Sequence, residues 1–479
     1  MKVRYILFYS ISASILIISG CSAPKVTVKE DLLKPKMPAK YIADTIVSKH
    51  DSIVPWRQLF TDPNLVSLID SALANNQDLM MTLQQIEIAR SNVMYQKGRL
   101  LPTVTAGLGV GVEKVGRYTS TGAGNATTEI KPGKSMPDPL MNYQGGVQAD
   151  WEVDLWHKLS SQSKAATEQY LATIEGKNAV LSTLIADVAG NYFDLLCYDN
   201  QLDLIHQYID LQQKAVEIAK IQKEADVDTE LAVQKFNAEL AKAKSTEYIL
   251  RQQVTETENN INLLLGRFPS PIVRDMASFM TTNPPVVKVG IPSELLLNRP
   301  DIRQAEHQLA AANWNVESAR KEFLPSLNIS ASLGLESFNP TYLTKLPESL
   351  AFSVLGGLTG PLINKKAIEA NFHNATAQQL EALYNYDKTL LTGYIEVCNL
   401  MAKIQNMDSY LGYKKQESDT LDKSIEIARQ LYQNGRVSYL DVLMDQRDAL
   451  DAKMELLEAK GQQLSSVVNI YKSIGGGWK

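Results

Sequence analysis

The sequence predicts a mainly α protein with a smaller β component, written as an internal duplication of long coiled-coil helical hairpins joined to amphipathic strands. Three features predict it. Proline is absent over 140–268 and again over 362–479, and both stretches are poor in glycine and rich in Ala, Leu, Gln, Glu and Lys, as long helices are. Apolar residues recur there every seven positions. Directly after Leu101-Pro102 and Leu324-Pro325 the period changes to two.

The bulk properties exclude much else. The chain has 479 residues, 48 basic against 53 acidic side chains, a formal charge of −5, and 44% hydrophobic and 21% charged residues. Neither a disordered chain nor a polytopic helical membrane protein has that balance, and a pI near 5.7 argues against a nucleic-acid partner. Three cysteines are too few and too scattered for a disulfide framework or a zinc site.

At the start, Lys2 and Arg4 precede an uncharged run over 5–18 that ends in Ser19-Gly20-Cys21. This is a secretion signal, too short to span a bilayer as a stable helix. Ile18-Ser19-Gly20-Cys21 resembles the bacterial lipobox, in which the peptide is cut before the cysteine and the sulfur is acylated. Multiple acyl chains on Cys21 anchor firmly where one holds only marginally. Beyond this covalent lipid no cofactor is expected. Cys197 and Cys398 fall inside helical patterns and read as buried thiols. The expected organisation is a signal peptide over 1–20, an acylated N-terminus and extended linker over 21–55, a first repeat over 56–268, a proline-dense linker over 269–292 and a second repeat over 293–479.

The repeats are legible in two registers. Leu181, Val188, Leu195, Leu202, Ile209 and Val216 keep the seven-residue period in the first copy, with Leu184, Ile185, Tyr192 and Ile205 between them. Leu383, Leu390, Val397, Ile404, Leu411, Ile425 and Tyr432 keep it in the second, interrupted by Ser418. A sustained period of seven imposes left-handed supercoiling. An offset of 202 superimposes the series and sets Tyr192 on Tyr394. An offset of 223 matches Leu73, Asn75, Asp78, Ala89, Val93, Leu101 and Pro102 to Leu296, Asn298, Asp301, Ala312, Val316, Leu324 and Pro325. Helices over 157–222 and 365–433 are each about 100 Å long at 1.5 Å per residue, with return helices over 227–266 and 437–474.

The strands have two faces. Val104, Ala106, Leu108, Val110 and Val112 alternate with small or polar residues, as do Val147, Ala149, Trp151, Val153 and Leu155, and in the second copy Leu327, Ile329, Ala331, Leu333 and Leu335. The last strand, near 350–358, is less regular. Two strands of about ten residues per copy have the length that crosses a membrane when tilted. A sheet on a soluble core is the competing reading; the anchor and the lack of any segment to cover these faces favour the bilayer. Four strands cannot close a barrel, and an open edge in lipid leaves backbone groups unpaired, so chains must associate, with eight strands from two copies or twelve from three.

Four motifs then carry a resemblance over essentially the whole mature chain: Asp154-Leu155-Trp156 before the long helix, Asn298-Arg299-Pro300-Asp301-Ile302 opening the second copy, Tyr432-Gln433-Asn434-Gly435-Arg436-Val437-Ser438-Tyr439-Leu440-Asp441-Val442-Leu443, and the terminal Tyr471-Lys472-Ser473-Ile474-Gly475-Gly476-Gly477-Trp478. The sequence resembles the TolC-type outer-membrane factors, in their OprM/NodT-like lipoprotein branch. The resemblance implies a homotrimeric α-helical barrel in the periplasm, continuous with a 12-stranded antiparallel transmembrane β-barrel to which each protomer gives four strands. It implies a passive exit duct lying in outer-membrane lipid, docked to a periplasmic adaptor protein and an inner-membrane efflux pump of the RND type, with no catalytic group. The residues agree: the five histidines are never spaced as metal ligands, and no phosphate loop, Gly-x-Ser-x-Gly or His-Glu-x-x-His occurs. A structural or adhesive coiled-coil lipoprotein without conductance is the alternative.

The family also implies a periplasmic gate of acidic residues at the second hairpin's return helix. Asp441 falls on one such position, and threefold repetition makes a carboxylate ring that favours cations. The bland reading is an exposed helix-start residue favoured by the dipole. Departures are clear: Met444 stands at the second acidic position, with Asp445 next to it. Leu231 is the first-copy equivalent of Asp441, leaving Glu230 as substitute; Val437 stands at the lock arginine position, one after Arg436; Tyr432 matches an aromatic lock position. A hydrophobic constriction of Leu440, Leu443 or Met444 is equally open.

Overall fold

The computed structural model describes residues 38, 41, 54–226, 229–284, 287, 292–360 and 365–478. The signal peptide expected over 1–20 and the expected acylation site Cys21 lie outside the described residues. The chain forms two compact units, one containing Ile88–Tyr170 and His307–Leu383, the other containing Leu171–Glu306 and Tyr384–Lys479.

The first half runs α1 (Trp56–Leu59), α2 (Pro63–Asn75), α3 (Gln77–Gly98), β1 (Thr103–Glu113), α4 (Ser120–Thr127), β2 (Glu129–Lys131), β3 (Lys134–Ser135), β4 (Leu140–Val153), α5 (Lys158–Glu224) and α6 (Glu230–Leu264). The second runs α7 (Leu295–Asn298), α8 (Pro300–Lys321), β5 (Ser326–Ser337), α9 (Pro340–Leu343), β6 (Leu350–Thr359), α10 (Lys366–Gln433) and α11 (Tyr439–Ser473). The order helix, strand, strand, long helix, return helix thus occurs twice. At 67 and 68 residues, α5 and α10 match the lengths read from the heptads.

In the sheet unit β1, β4, β5 and β6 pair antiparallel in that order, so β1 and β6 are its edges. β4 starts seven residues earlier than its alternating core suggested and stops at Val153, because Leu155 donates its amide back to Val153 O in the turn before α5. The β1–β4 connection holds α4 and the β2–β3 hairpin, which the sequence reading did not anticipate.

In the helical unit the heptad of α5 is core. Ile185, Val188, Tyr192 and Leu195 join Leu65, Ile69, Ile261, Leu464 and Val468 in one cluster. The heptad of α10 fares differently: Leu390 and Val397 are buried, while Ile404, Leu411 and Ile425 are only half-buried. Cys197 is buried as expected, but Cys398 is only partly so; both are free thiols.

The second and fourth motifs prove to be one structure. Arg299 donates to both carboxylate oxygens of Asp301 at 3.0 and 2.6 Å, to Glu396 at 2.9 Å and to Ser473 O at 2.8 Å. Trp478 Nε1 donates to Asn298 O at 3.1 Å. Gly475 takes φ +91°, and a Cβ there would lie 2.2 Å from Asn298 O, so only glycine permits the approach. The linker is pinned similarly: Arg274 donates to Asp199 on α5 and Glu258 on α6.

Candidate functional site

The strand register converts alternation into two continuous faces. Ala106, Val147, Leu333 and Phe352 stand abreast across all four strands, as do Val104, Ala149, Ala331 and Val354. The opposite face carries Thr105, Gln148, Ser332 and Ser353 in one row. Leu108 is 94% exposed and Phe352 76%, and Val104, Val110, Val112 and Val354 are exposed with them. Gly145, opposite Leu108, leaves room for it: a Cβ there would meet Leu108 Cδ2 at 2.7 Å. The polar face is knitted by side chains, with Ser330 Oγ donating to Asp150 at 2.7 Å, Asn142 to Glu336 at 2.8 Å, and Ser332 and Ser353 hydroxyls 2.8 Å apart.

The first motif roots the sheet on α5. Asp154 accepts from the Leu159 and Ser160 amides at 2.8 and 2.9 Å, satisfying orphan donors of the first turn. Trp156 Nε1 donates to Pro325 O at 2.7 Å, joining the β4–α5 corner to the start of β5, and Lys158 pairs with Glu152.

At the far end of each hairpin the chain reverses in a few residues. In the second, Gly435 at φ +65° closes α10, its amide bonding to Tyr432 O and that of Arg436 to Leu431 O, both at 2.9 Å. Ser438 then caps α11 reciprocally. Asp441 Oδ2 accepts from the Ser438 amide at 2.9 Å and its hydroxyl at 2.8 Å, while Ser438 Oγ accepts from the Asp441 amide. The Ser-x-x-acid spacing was the overlooked signal. In the first hairpin Thr229 caps α6, and Glu230 is held by Lys223 and by Gln234 at 2.6 Å. The Lys223 contact holds the Glu230 carboxyl below its ordinary range.

The named gate residues thus divide. The structure brings Tyr432 against the first hairpin, where Gln222 donates to its hydroxyl; its ring lies 4.9 Å from Tyr439, which lies 5.2 Å from Phe236. Leu443 is packed with Val216, Val233 and Phe236 inside the protomer, so as a constriction side chain it is corrected: it has no surface to offer a lumen. Glu230 is engaged by Lys223 of its own hairpin instead of by Arg436. Asp441, Arg436 and Met444 are exposed, and Leu440 is half-buried. Among the described residues no His, Cys, Asp and Glu group could hold a metal ion.

A chain that combines a sheet of one apolar and one polar face with two long helical hairpins has the makeup of the outer-membrane channels. The sequence profile described as outer membrane efflux protein matches residues 68–267 and 291–476. Among relatives, the solvent efflux pump outer membrane protein SrpC of Pseudomonas putida is 30% identical over 427 residues, covering 88% of this chain and 87% of its own. The cation efflux system protein CusC of Escherichia coli is 25% identical over 97% of both chains. In fold, the open-state MtrE outer membrane channel of Neisseria gonorrhoeae superimposes with a TM-score of 0.79 at 24% identity, over 96% of this chain and 98% of that one. The chain belongs to the outer membrane efflux protein family, the TolC-like channels, and is an outer-membrane exit channel of an efflux system.

Proposed function

We propose that three copies join β1 to β6 in one 12-stranded barrel that conducts solutes passively, fed through the helical hairpins by a periplasmic adaptor and an RND-type inner-membrane pump, with acylated Cys21 as a second hold on the outer membrane. One observation carries this reading: among the described residues nothing covers the apolar face, and a strand stands unpaired on its outer side at each edge. Hydrocarbon suits the face, and only closure satisfies the edges. The duplicated chain supplies two near-equivalent hairpins, so three copies give a quasi-sixfold ring. Relatives of similar identity are named for solvents in one case and cations in another, which agrees with a wide polar duct that leaves selection to the pump.

The hairpin ends form the gate in this reading, with Asp441 and Met444 facing the passage and Tyr432 holding the two hairpins together. The test is single-channel recording in planar bilayers, alongside native mass measurement of the detergent-extracted protein. A trimer that conducts is expected; a non-conducting monomer overturns the reading in favour of a coiled-coil scaffold. Because Asp441 also builds the helix cap, Asp441→Ala alone is ambiguous. Asp441→Asn keeps an acceptor for the Ser438 amide and removes the charge, so it should lower cation preference and divalent block. If both variants leave them unchanged, Asp441 is no ring residue.

A further inference from the structure

Leu355 is an apolar residue on the polar face of β6. It is 71% exposed and lies in one row with Ser330, Asp150 and Thr103, on the side of the sheet that also carries Ser353, Gln148 and Thr105. Between the strand ends that side holds no other large apolar residue among the described ones. β6 is an edge, so no described strand lies beyond Leu355 to cover it.

Where the row goes next follows from barrel geometry. Thr103 is the first residue of β1. Asp150 lies three residues from the end of β4, and Ser330 and Leu355 lie four from the corresponding ends of β5 and β6, Ser326 and Thr359. The row therefore climbs away from the helix-joined ends of the strands as it crosses the sheet. Strands tilted about 35–45° and spaced about 4.8 Å apart in the proposed ring need a total stagger of about 12–17 residues. Shared among three copies, that is about 4–6 residues each, and the number must be even, because an odd shift turns one face into the other. The row leaving Leu355 thus enters β1 of the next copy about four or six residues above Thr103, at Gly107 or Gly109.

Both positions are bare. Gly107, Gly109 and Gly111 are successive residues of β1 on this side, and a Cβ at Gly107 would meet nothing within 4 Å, so the chain's own packing does not demand glycine there. The fit of leucine to glycine already occurs once inside the sheet, where Leu108 stands opposite Gly145. A glycine-rich edge fixes its register weakly by itself, and a large side chain laid across it supplies the missing specification.

We propose that Leu355 of one copy seats on the Gly107–Gly109 segment of β1 in the next, and that this fit sets the register in which the copies join. The inference deepens the trimeric reading above and rests on it. An apolar side chain that would otherwise face the water of the duct covers glycine backbone instead.

Disulfide trapping of the full-length protein in outer membranes tests it. Leu355→Cys is paired in turn with Thr103→Cys, Gly107→Cys, Gly109→Cys and Glu113→Cys and oxidised with copper phenanthroline, each single variant serving as the blank for Cys197 and Cys398. A bridge needs Cα atoms within about 7 Å, so a shift of a few residues along β1 abolishes it. Linked dimers and trimers should form with Gly107→Cys or Gly109→Cys at least about fivefold more than with Thr103→Cys or Glu113→Cys. Native mass measurement of the extracted protein separates the two ways of failing. A trimer that links best at Thr103 or Glu113, or at no position, overturns the Leu355 seat and leaves the trimer standing; a monomer overturns the trimer and the seat together. Should both glycine variants fail to assemble, Leu355→Ser carries the test: about fivefold less trimer surviving in dodecyl sulfate supports the seat, and unchanged survival overturns it.

Discussion

The sheet and the helical unit use the same apolar residue types to opposite ends. Val188 and Leu195 on α5 are 0% exposed, whereas Leu108 on β1 is 94% exposed. Apolar burial stabilises by about 25 cal/mol per Å² wherever the apolar surroundings come from. The helical unit draws them from its own chain and the sheet must find them outside it. A similar contrast recurs at smaller scale between α5, whose heptad is largely buried, and the outer part of α10, where Ile404, Leu411 and Ile425 remain half-buried. The difference teaches that a residue's period tells which face it joins, while the partner for that face is a separate question.

Breaking the self-sufficient region should have the largest effect. Arg299 is the single donor group shared by Asp301, Glu396 and Ser473 O, with its side chain 10% exposed. Arg299→Ala takes the shared donor from two partly exposed carboxylates and from Ser473 O and removes a buried side chain, and is expected to cost about 3 kcal/mol, read as loss of folded protein or a lower melting temperature. Arg299→Lys should recover only part of this, because an ammonium cannot fork across Asp301.

The dependent region should respond to its surroundings instead. Leu108→Arg places a charge at the centre of β1 on the apolar face and should cost about 2–4 kcal/mol of membrane assembly, measured as less of the proposed trimer in outer-membrane fractions. Thr105→Arg on the polar face should assemble normally. Equal behaviour of the two would mean that the face assigned to hydrocarbon is not in it.

Much of this was readable in the residues because period is a local property. Val104 to Val112 and Leu181 to Val216 announce their faces through neighbours two or seven positions away. The unread parts depend on distant partners. Nothing near Arg299 says that it will meet Ser473, and nothing near Leu443 says that Phe236 and Val216 will cover it, so a residue expected at a constriction turned out to be core. β4 was read too short because Leu140 to Gly146 includes two glycines and Asn142, which weaken the alternation, although the ladder with β1 extends to Leu140. At the candidate gate, Ser438 and Asp441 lie three apart, and their cap was within reach of sequence reading.

That cap gives the smallest expected effect and compares the two hairpins directly. The Thr229 hydroxyl accepts the Ala232 amide at 3.3 Å, whereas Ser438 and Asp441 satisfy each other's backbone. Ser438→Ala should therefore cost about 1 kcal/mol locally and Thr229→Ala somewhat less, seen as faster amide exchange in the first turn of α11 or α6 with no change in global melting. Ser438→Ala leaves the Asp441 charge in place. If it alters cation preference as much as Asp441→Asn does, the selectivity comes from where the helix begins, and the charge itself is incidental.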